Sequence, residues 1–198
     1  MANTKRYWRR STTTMNIILI GMRGSGKSTI ARKLSKKLGK PHIEVDSIIA
    51  KEAGMTIPEI VKTYGWEYFR NLETETTKQI CTMTEVIIST GGGVVTRSEN
   101  IVILKKSGKI FYLRAPIYTL LRRVGKDANR PALTNKKSPE EEMKEIFKKR
   151  NVLYEQTATS IIDTDKKTAN AIVNVILNLI QDPNKKIPDQ VRNDNEQL

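Results

Sequence analysis

The sequence predicts an α/β protein, a three-layer α/β/α sandwich built on a five-stranded parallel sheet. Two observations carry that expectation. Short apolar runs alternate with longer stretches of helical period along most of the chain, the pattern of strands joined by crossover helices. One strand-to-helix junction, Gly21-Met22-Arg23-Gly24-Ser25-Gly26-Lys27-Ser28-Thr29, fits G-x-x-x-x-G-K-[ST] at every fixed position. The chain has 198 residues, which suits one domain with a proper core.

The first strand is Met15-Asn16-Ile17-Ile18-Leu19-Ile20, a β-branched apolar run suited to burial on both faces. After the glycine-rich turn, Ile30, Leu34 and Leu38 fall at i, i+4 and i+8, so a helix begins at Lys27 and ends at Gly39. This is the context in which the glycine pattern cradles phosphate: backbone N–H groups turn inward, and the helix N-terminus adds partial positive charge. Gly24, Ser25, Gly26, Lys27, Ser28 and Thr29 are therefore candidate nucleotide ligands. Lys27 is placed to reach the outer phosphates, and the Ser28 hydroxyl to hold Mg²⁺. A glycine turn that binds nothing would not need such flanks. The protein is expected to bind a nucleoside triphosphate.

Residues 41–46 read as a second strand ending in Glu44 and Asp46, which alternation would turn to one face. Acids at a strand's C-terminal end lie where open α/β sheets bind ligands; one suits Mg²⁺ and the other a substrate hydroxyl. The plainer alternative is that Asp46 caps the next helix. That helix covers 47–53 and stops at Gly54. A short helix over 57–64, a break at Gly65 and a longer helix over 67–83 follow, the last with Phe69, Leu72, Thr76 and Ile80 on one stripe. Arg70 and Glu73 stand at i, i+3, by themselves an ordinary solvated pair.

Strand three, residues 86–90, runs into Gly91-Gly92-Gly93, whose entropic cost suggests backbone approaching a ligand. Ser98 is placed to cap a helix ending near Gly108, and residues 110–113 form strand four. A helix over 116–124 ends in Arg122-Arg123. The basic, aperiodic stretch 125–137, with Arg130, suggests a lid. Ser138-Pro139-Glu140-Glu141 is a capping box with proline at the first helical position. Residues 161–163 form strand five, and 168–180 a last amphipathic helix. Residues 1–14 and 181–198 are polar, lack a period and are expected to be disordered.

The formal charge is +14, and four of the basic residues (Lys5, Arg6, Arg9, Arg10) lie in the acid-free first fourteen positions. That balance suits a nucleic-acid surface or a pocket for polyanionic small molecules and does not choose between them. No helix-turn-helix, RNP or zinc pattern supports nucleic acid, so none is expected as a partner. A single cysteine, Cys81, excludes an internal disulfide. No apolar run approaches the ~20 residues of a membrane span, and no secretory core is visible, so a cytoplasmic setting is the default.

Taken together, the motifs over about residues 15–180 resemble the shikimate kinase family, in the nucleoside-monophosphate-kinase-like branch of P-loop proteins. Glu44-Val45-Asp46 stands where that family has D-x-D. Phe69-Arg70-Asn71-Leu72-Glu73 matches F-R-x-x-E, five residues beyond Gly65, and Gly91-Gly92-Gly93 matches its G-G-G. Arg130-Pro131-Ala132-Leu133 resembles R-P-L-L, with Arg123 seven residues earlier. Arg150-Asn151-Val152-Leu153-Tyr154 resembles R-x-P-L-Y, and Asp163-Thr164 matches D-T.

The resemblance implies transfer of the γ-phosphoryl group of ATP to the 3-hydroxyl of shikimate, giving shikimate 3-phosphate and ADP. Arg70 and Arg150 would grip the substrate carboxylate, and Asp46 would take the hydroxyl proton beside Gly91, Gly92 and Gly93. Lys27 and Arg130 would neutralise the transferring group, Ser28 and Glu44 would hold one Mg²⁺, and Arg123 and Lys167 would flank adenine. A monomer is expected.

Three positions depart from the family pattern: Glu44 for aspartate, Trp66 where glutamate is common, and Lys166-Lys167 for an arginine-bearing turn. The nearest rival is another small-metabolite kinase, such as a gluconate kinase; Arg70, the glycine triplet and Arg150 favour a carboxylate-bearing polyol like shikimate.

Overall fold

The computed structural model of the protein describes residues 15–125 and 138–182. The expected disorder at 1–14, the lid and its Arg130, and most of the C-terminal tail lie outside the described residues.

Five parallel strands form one sheet in the order β2-β3-β1-β4-β5: β1 (Asn16–Ile20), β2 (His42–Glu44), β3 (Ile87–Ser89), β4 (Gly108–Arg114) and β5 (Ser160–Asp163). The central strand β1 is buried at every position and separates two cores. Ile17 and Leu19 face one side, where α1 (Lys27–Leu38) and α7 (Ala169–Gln181) pack through Ile30, Leu34, Val173 and Ile176. Ile18 and Ile20 face the other, towards α2 (Val45–Ala53), α3 (Ile57–Ile80), α4 (Ser98–Ser107), α5 (Ile117–Val124) and α6 (Pro139–Thr157). Strict alternation of a doubly buried strand thus produces the three layers foreseen from the sequence.

Register then sets the site. Leu19 pairs with Ser89, and Ser89 with Glu44, so the C-terminal ends of β1, β3 and β2 lie level with one another. The chain goes from β1 to the edge strand β2, returns to β3 between them, then crosses to β4 and β5 on the other side of β1. Open α/β sheets bind ligands at such a reversal. All three glycine-rich or acidic segments singled out in the sequence emerge there.

Several local expectations change. The second strand is only three residues long, and Val45 and Asp46 already belong to α2. Glu44 is the residue at the N-cap position, so Asp46 neither alternates with Glu44 along a strand nor caps the helix; it sits in the first turn. Ser98 opens α4 rather than capping it, since Arg97 occupies that position and no side chain bonds the helix end. Gln181, assigned to the tail, closes α7. The capping box at Ser138 and Glu141 forms in full, and a second, at Thr56 and Glu59, opens α3.

The break expected at Gly65 is present: two helical stretches of α3 meet there at a kink, where Gly65 is non-helical with φ 82° and ψ 170°. An L-residue enters that region only under strain. Gly65→Ala is expected to cost about 1–3 kcal/mol of stability although no atom crowds the missing Cβ. Urea unfolding measures this, and a midpoint equal to the parent's would show that the kink relaxes without cost.

Candidate active site

The phosphate loop leaves β1 and turns into α1 at Gly26, whose φ of 96° no larger residue adopts easily. Lys27 bends back over the loop, its Nζ donating to the carbonyls of Gly21 (2.8 Å) and Met22 (3.0 Å). The Ser28 hydroxyl donates to Glu44 Oε1, and Ser47 Oγ lies 3.4 Å from Glu44 Oε2. Arg123, from α5, reaches the loop at Gly24 O (3.4 Å) and β5's exit at Thr164 O (2.9 Å) and Oγ1 (3.1 Å). Gly24, Lys27, Ser28, Glu44 and Arg123 line one polar cavity. Ser25 is buried beneath the loop, and Thr29 is exposed on α1. Lys167 lines a different cavity, with Lys166, Arg114 and Tyr118, and is not brought together with Arg123 there.

Ser28 and Glu44 place two hard oxygens side by side at the foot of the phosphate cavity. Oxygen donors of this kind, one of them a carboxylate, fit Mg²⁺, which takes its remaining ligands from water and phosphate.

A second cavity adjoins the first. Arg70 and Arg150, eighty residues apart in sequence, both line it, together with Asp46, Glu73 and all three of Gly91, Gly92 and Gly93. Arg150 comes from α6 and donates through Nη1 to Gly92 O (3.1 Å), which also accepts from the Tyr154 hydroxyl. Burial pushes the Arg150 guanidinium down from its ordinary value, and Arg70 adds repulsion. Burial also pushes the Tyr154 hydroxyl up, so it stays a neutral donor, stacked on Tyr112 at 4.9 Å.

The Arg70–Glu73 pair is not the solvated helix pair that its spacing alone suggests. The Glu73 side chain is 0 % exposed and that of Arg70 13 %, and Arg70 Nη1 donates to Glu73 Oε2. The guanidinium carbon also lies 5.4 Å from the Trp66 ring centroid and 5.1 Å from that of Phe69. Trp66, the departure from the family pattern, therefore packs against the arginine and helps wall the cavity.

Crowding explains two glycines of the triplet. A Cβ at Gly91 would sit 2.5 Å from Glu73 Oε1 and 2.6 Å from Asp46 Oδ1, and one at Gly93 would overlap the Arg70 guanidinium. None of the three has positive φ, so at 91 and 93 clearance for charged side chains, rather than backbone freedom, favours glycine, whereas a Cβ at Gly92 would meet nothing closer than 3.6 Å.

Four contributors escaped the sequence reading. Glu73's burial is invisible to helical spacing. Met143 and Ile146 of α6 supply apolar wall to the arginine cavity and read only as core positions. Arg23, a variable position of the phosphate loop, lines both cavities; a cation inside that motif was the available signal.

A phosphate loop opening onto a cavity with two arginines and a carboxylate defines a P-loop kinase of small anionic metabolites. Residues 23–181 match the sequence profile of the family described as Shikimate kinase. A shikimate kinase of Thermodesulfovibrio yellowstonii is 42% identical over 162 residues, covering 82% of this chain and 92% of the relative. The chain belongs to the shikimate kinase family. Among solved structures, the shikimate kinase of Acinetobacter baumannii in complex with shikimate superposes with a TM-score of 0.82 at 34% identity, covering 88% of this chain and 97% of that one. The Aquifex aeolicus shikimate kinase gives 0.70 at 32% identity, covering 84% and 96%.

Burial raises the Glu73 carboxyl above its ordinary range, and Asp46 adds to the rise while Arg70 and Arg150 oppose it. The unfolded chain therefore ionises this group at lower pH than the folded one, and stability from this site falls as pH rises from the ordinary carboxylate value through the raised one. Glu73→Gln removes that dependence. Above the ordinary carboxylate value the variant should gain stability relative to the parent as pH increases. Urea unfolding across that range tests the sign; a constant difference would mean Glu73 titrates normally.

Proposed function

We propose that the protein transfers the γ-phosphoryl group of ATP to the 3-hydroxyl of shikimate, a step of aromatic amino acid biosynthesis. One observation carries the reading beyond family membership: Arg70 and Arg150 line a cavity that shares Asp46 with the phosphate cavity. An acceptor whose carboxylate is gripped by two guanidinium forks would present its hydroxyl to Asp46, next to the phosphate loop. A gluconate kinase is the less favoured alternative.

In this reading Asp46 accepts the proton of the attacking hydroxyl, and Lys27 exchanges its loop carbonyls for the outer phosphates. Gly24 to Thr29 hold the triphosphate, Arg123 flanks adenine with Lys167 reaching it from the separate cavity that it lines, and Arg130 adds charge to the transferring group. Tyr154 and Glu73 act through others, Tyr154 by fixing Gly92 and Glu73 by holding Arg70. Ser28 and Glu44 would hold Mg²⁺, which when bound neutralises charge on the phosphate oxygens. We read the enzyme as a monomer that acts in the cytoplasm, where ATP is at hand.

The decisive measurement is ADP release with ATP, Mg²⁺ and a panel of hydroxy acids. Shikimate should drive turnover, and a panel in which another polyol does so while shikimate does not would overturn the substrate. Lys27→Ala should lower turnover by at least ~10²-fold in a folded protein, through loss of a cation from the transferring group. Arg70→Ala and Arg150→Ala should each weaken shikimate by roughly 2–5 kcal/mol, since the carboxylate would stay desolvated and half paired. That corresponds to a KM rise of about 30-fold or more. ATP affinity without shikimate should hardly change; loss of ATP instead would remove the clamp.

A further inference from the structure

Three residues wall both cavities: Asp46, Gly92 and Arg23. A phosphoryl group passing from the Lys27 side to an acceptor on the Arg70 and Arg150 side must cross that shared wall. Lys27 lines only the phosphate cavity, and Arg70 and Arg150 only the other. Arg23 is therefore the one cation, among the described residues, that faces the group on both sides of its transfer.

Its backbone is held in place. Met22, just before it, is buried, and its carbonyl accepts from Ser25 N (3.2 Å) and Lys27 Nζ (3.0 Å). The Met22 sulfur also lies 3.7 Å from the Tyr154 hydroxyl oxygen. Arg23 N lies against Gly92, 3.6 Å from where a Cβ on that glycine would stand. The side chain thus leaves from a fixed point at the junction. It is half-buried and makes no ion pair with a described residue.

We infer that Arg23 is a catalytic residue that binds the transferring phosphoryl group and stays on it after transfer, so that it also holds the phosphate of the product. The inference rests on the shikimate kinase reading. The acceptor oxygen forms its bond to the γ-phosphorus, the bond from that phosphorus to the bridging oxygen breaks, ADP leaves, and the hydroxyl proton passes to Asp46. Throughout, the equatorial oxygens keep their charge, and a guanidinium fork matches two of them. Lys27 stays with the nucleotide's side of the wall; Arg23 need not let go. The simpler alternatives are a solvated arginine on a variable loop position, or a third grip on the substrate carboxylate.

Arg23→Met keeps the bulk and removes the charge, with Arg23→Gln as a second neutral variant and Arg23→Lys as the conservative one. Each is checked for fold by its thermal midpoint and for ATP binding without acceptor. The neutral variants should lower kcat by about 10- to 100-fold, with KM for shikimate and for ATP within about 3-fold of the parent. They should also bind shikimate 3-phosphate about 10-fold more weakly, with shikimate binding unchanged, and lysine should restore part of both losses. A kcat within twofold of the parent with unchanged product affinity overturns the inference, as does a raised shikimate KM at constant kcat, the mark of a carboxylate contact. A parent that forms no shikimate 3-phosphate would instead sink the functional reading itself, so the two failures are distinguishable.

Discussion

Asp46, Arg70 and Glu73 converge on a space that one methyl group at residue 91 or 93 would fill. That crowding governs much else in the molecule. It favours glycine at 91 and 93 in the strand-three exit, and it follows from α2 and α3 approaching β3 closely enough to bring two carboxylates and a guanidinium together. The Gly65 kink lets α3 make that approach while its first turns, starting with Ile57, still wall the same cavity. The charges are tolerable together because each offsets another. Glu73 is desolvated but bonded to Arg70, Asp46 repels it, and Arg150 contributes a compensating attraction from α6.

The arrangement also separates holding from reacting. Arg70 is fixed by Glu73 and two aromatic rings, and Arg150 by the Gly92 carbonyl. Both arginines are positioned by protein groups, so little side-chain freedom remains to be lost on binding an anion. Asp46, in the first turn of α2, stands instead where the two cavities meet. Rigid cations at one end and a carboxylate at the junction would orient a hydroxy acid by its charge alone.

Much of this was legible in the sequence. The phosphate loop combines a fixed spacing with its flanking periods, so both its position and the start of α1 at Lys27 follow directly. The sheet follows from doubly buried strands, and the cavity arginines from motif likeness, which linked Arg70 to Arg150 where spacing could not. What was missed depends on three-dimensional neighbours. Asp46 reads as a strand residue because two apolar positions alternate with acids, yet β2 ends at Glu44. Glu73 reads as solvated because nothing local reveals that the glycine triplet lies over it. Arg23 occupies a position the motif leaves open, and only the two cavities meeting there give it a role. Ser98, a good capping residue, is displaced by one position, with Arg97 tied instead to Glu67 and Asn71 of α3.

Lys27 has a consequence for which anions the loop can accept. Its ammonium already rests on two carbonyl oxygens at 2.8 and 3.0 Å, so an arriving ligand replaces those contacts instead of meeting a bare charge. A monovalent anion such as chloride offers the lysine little beyond what the carbonyl dipoles provide. A triphosphate brings several charges at once and also satisfies the loop's N–H groups, so its advantage grows with charge density. In a medium crowded with small anions, the loop is thereby kept from being occupied by the wrong ones, through a contact between its own lysine and its own backbone.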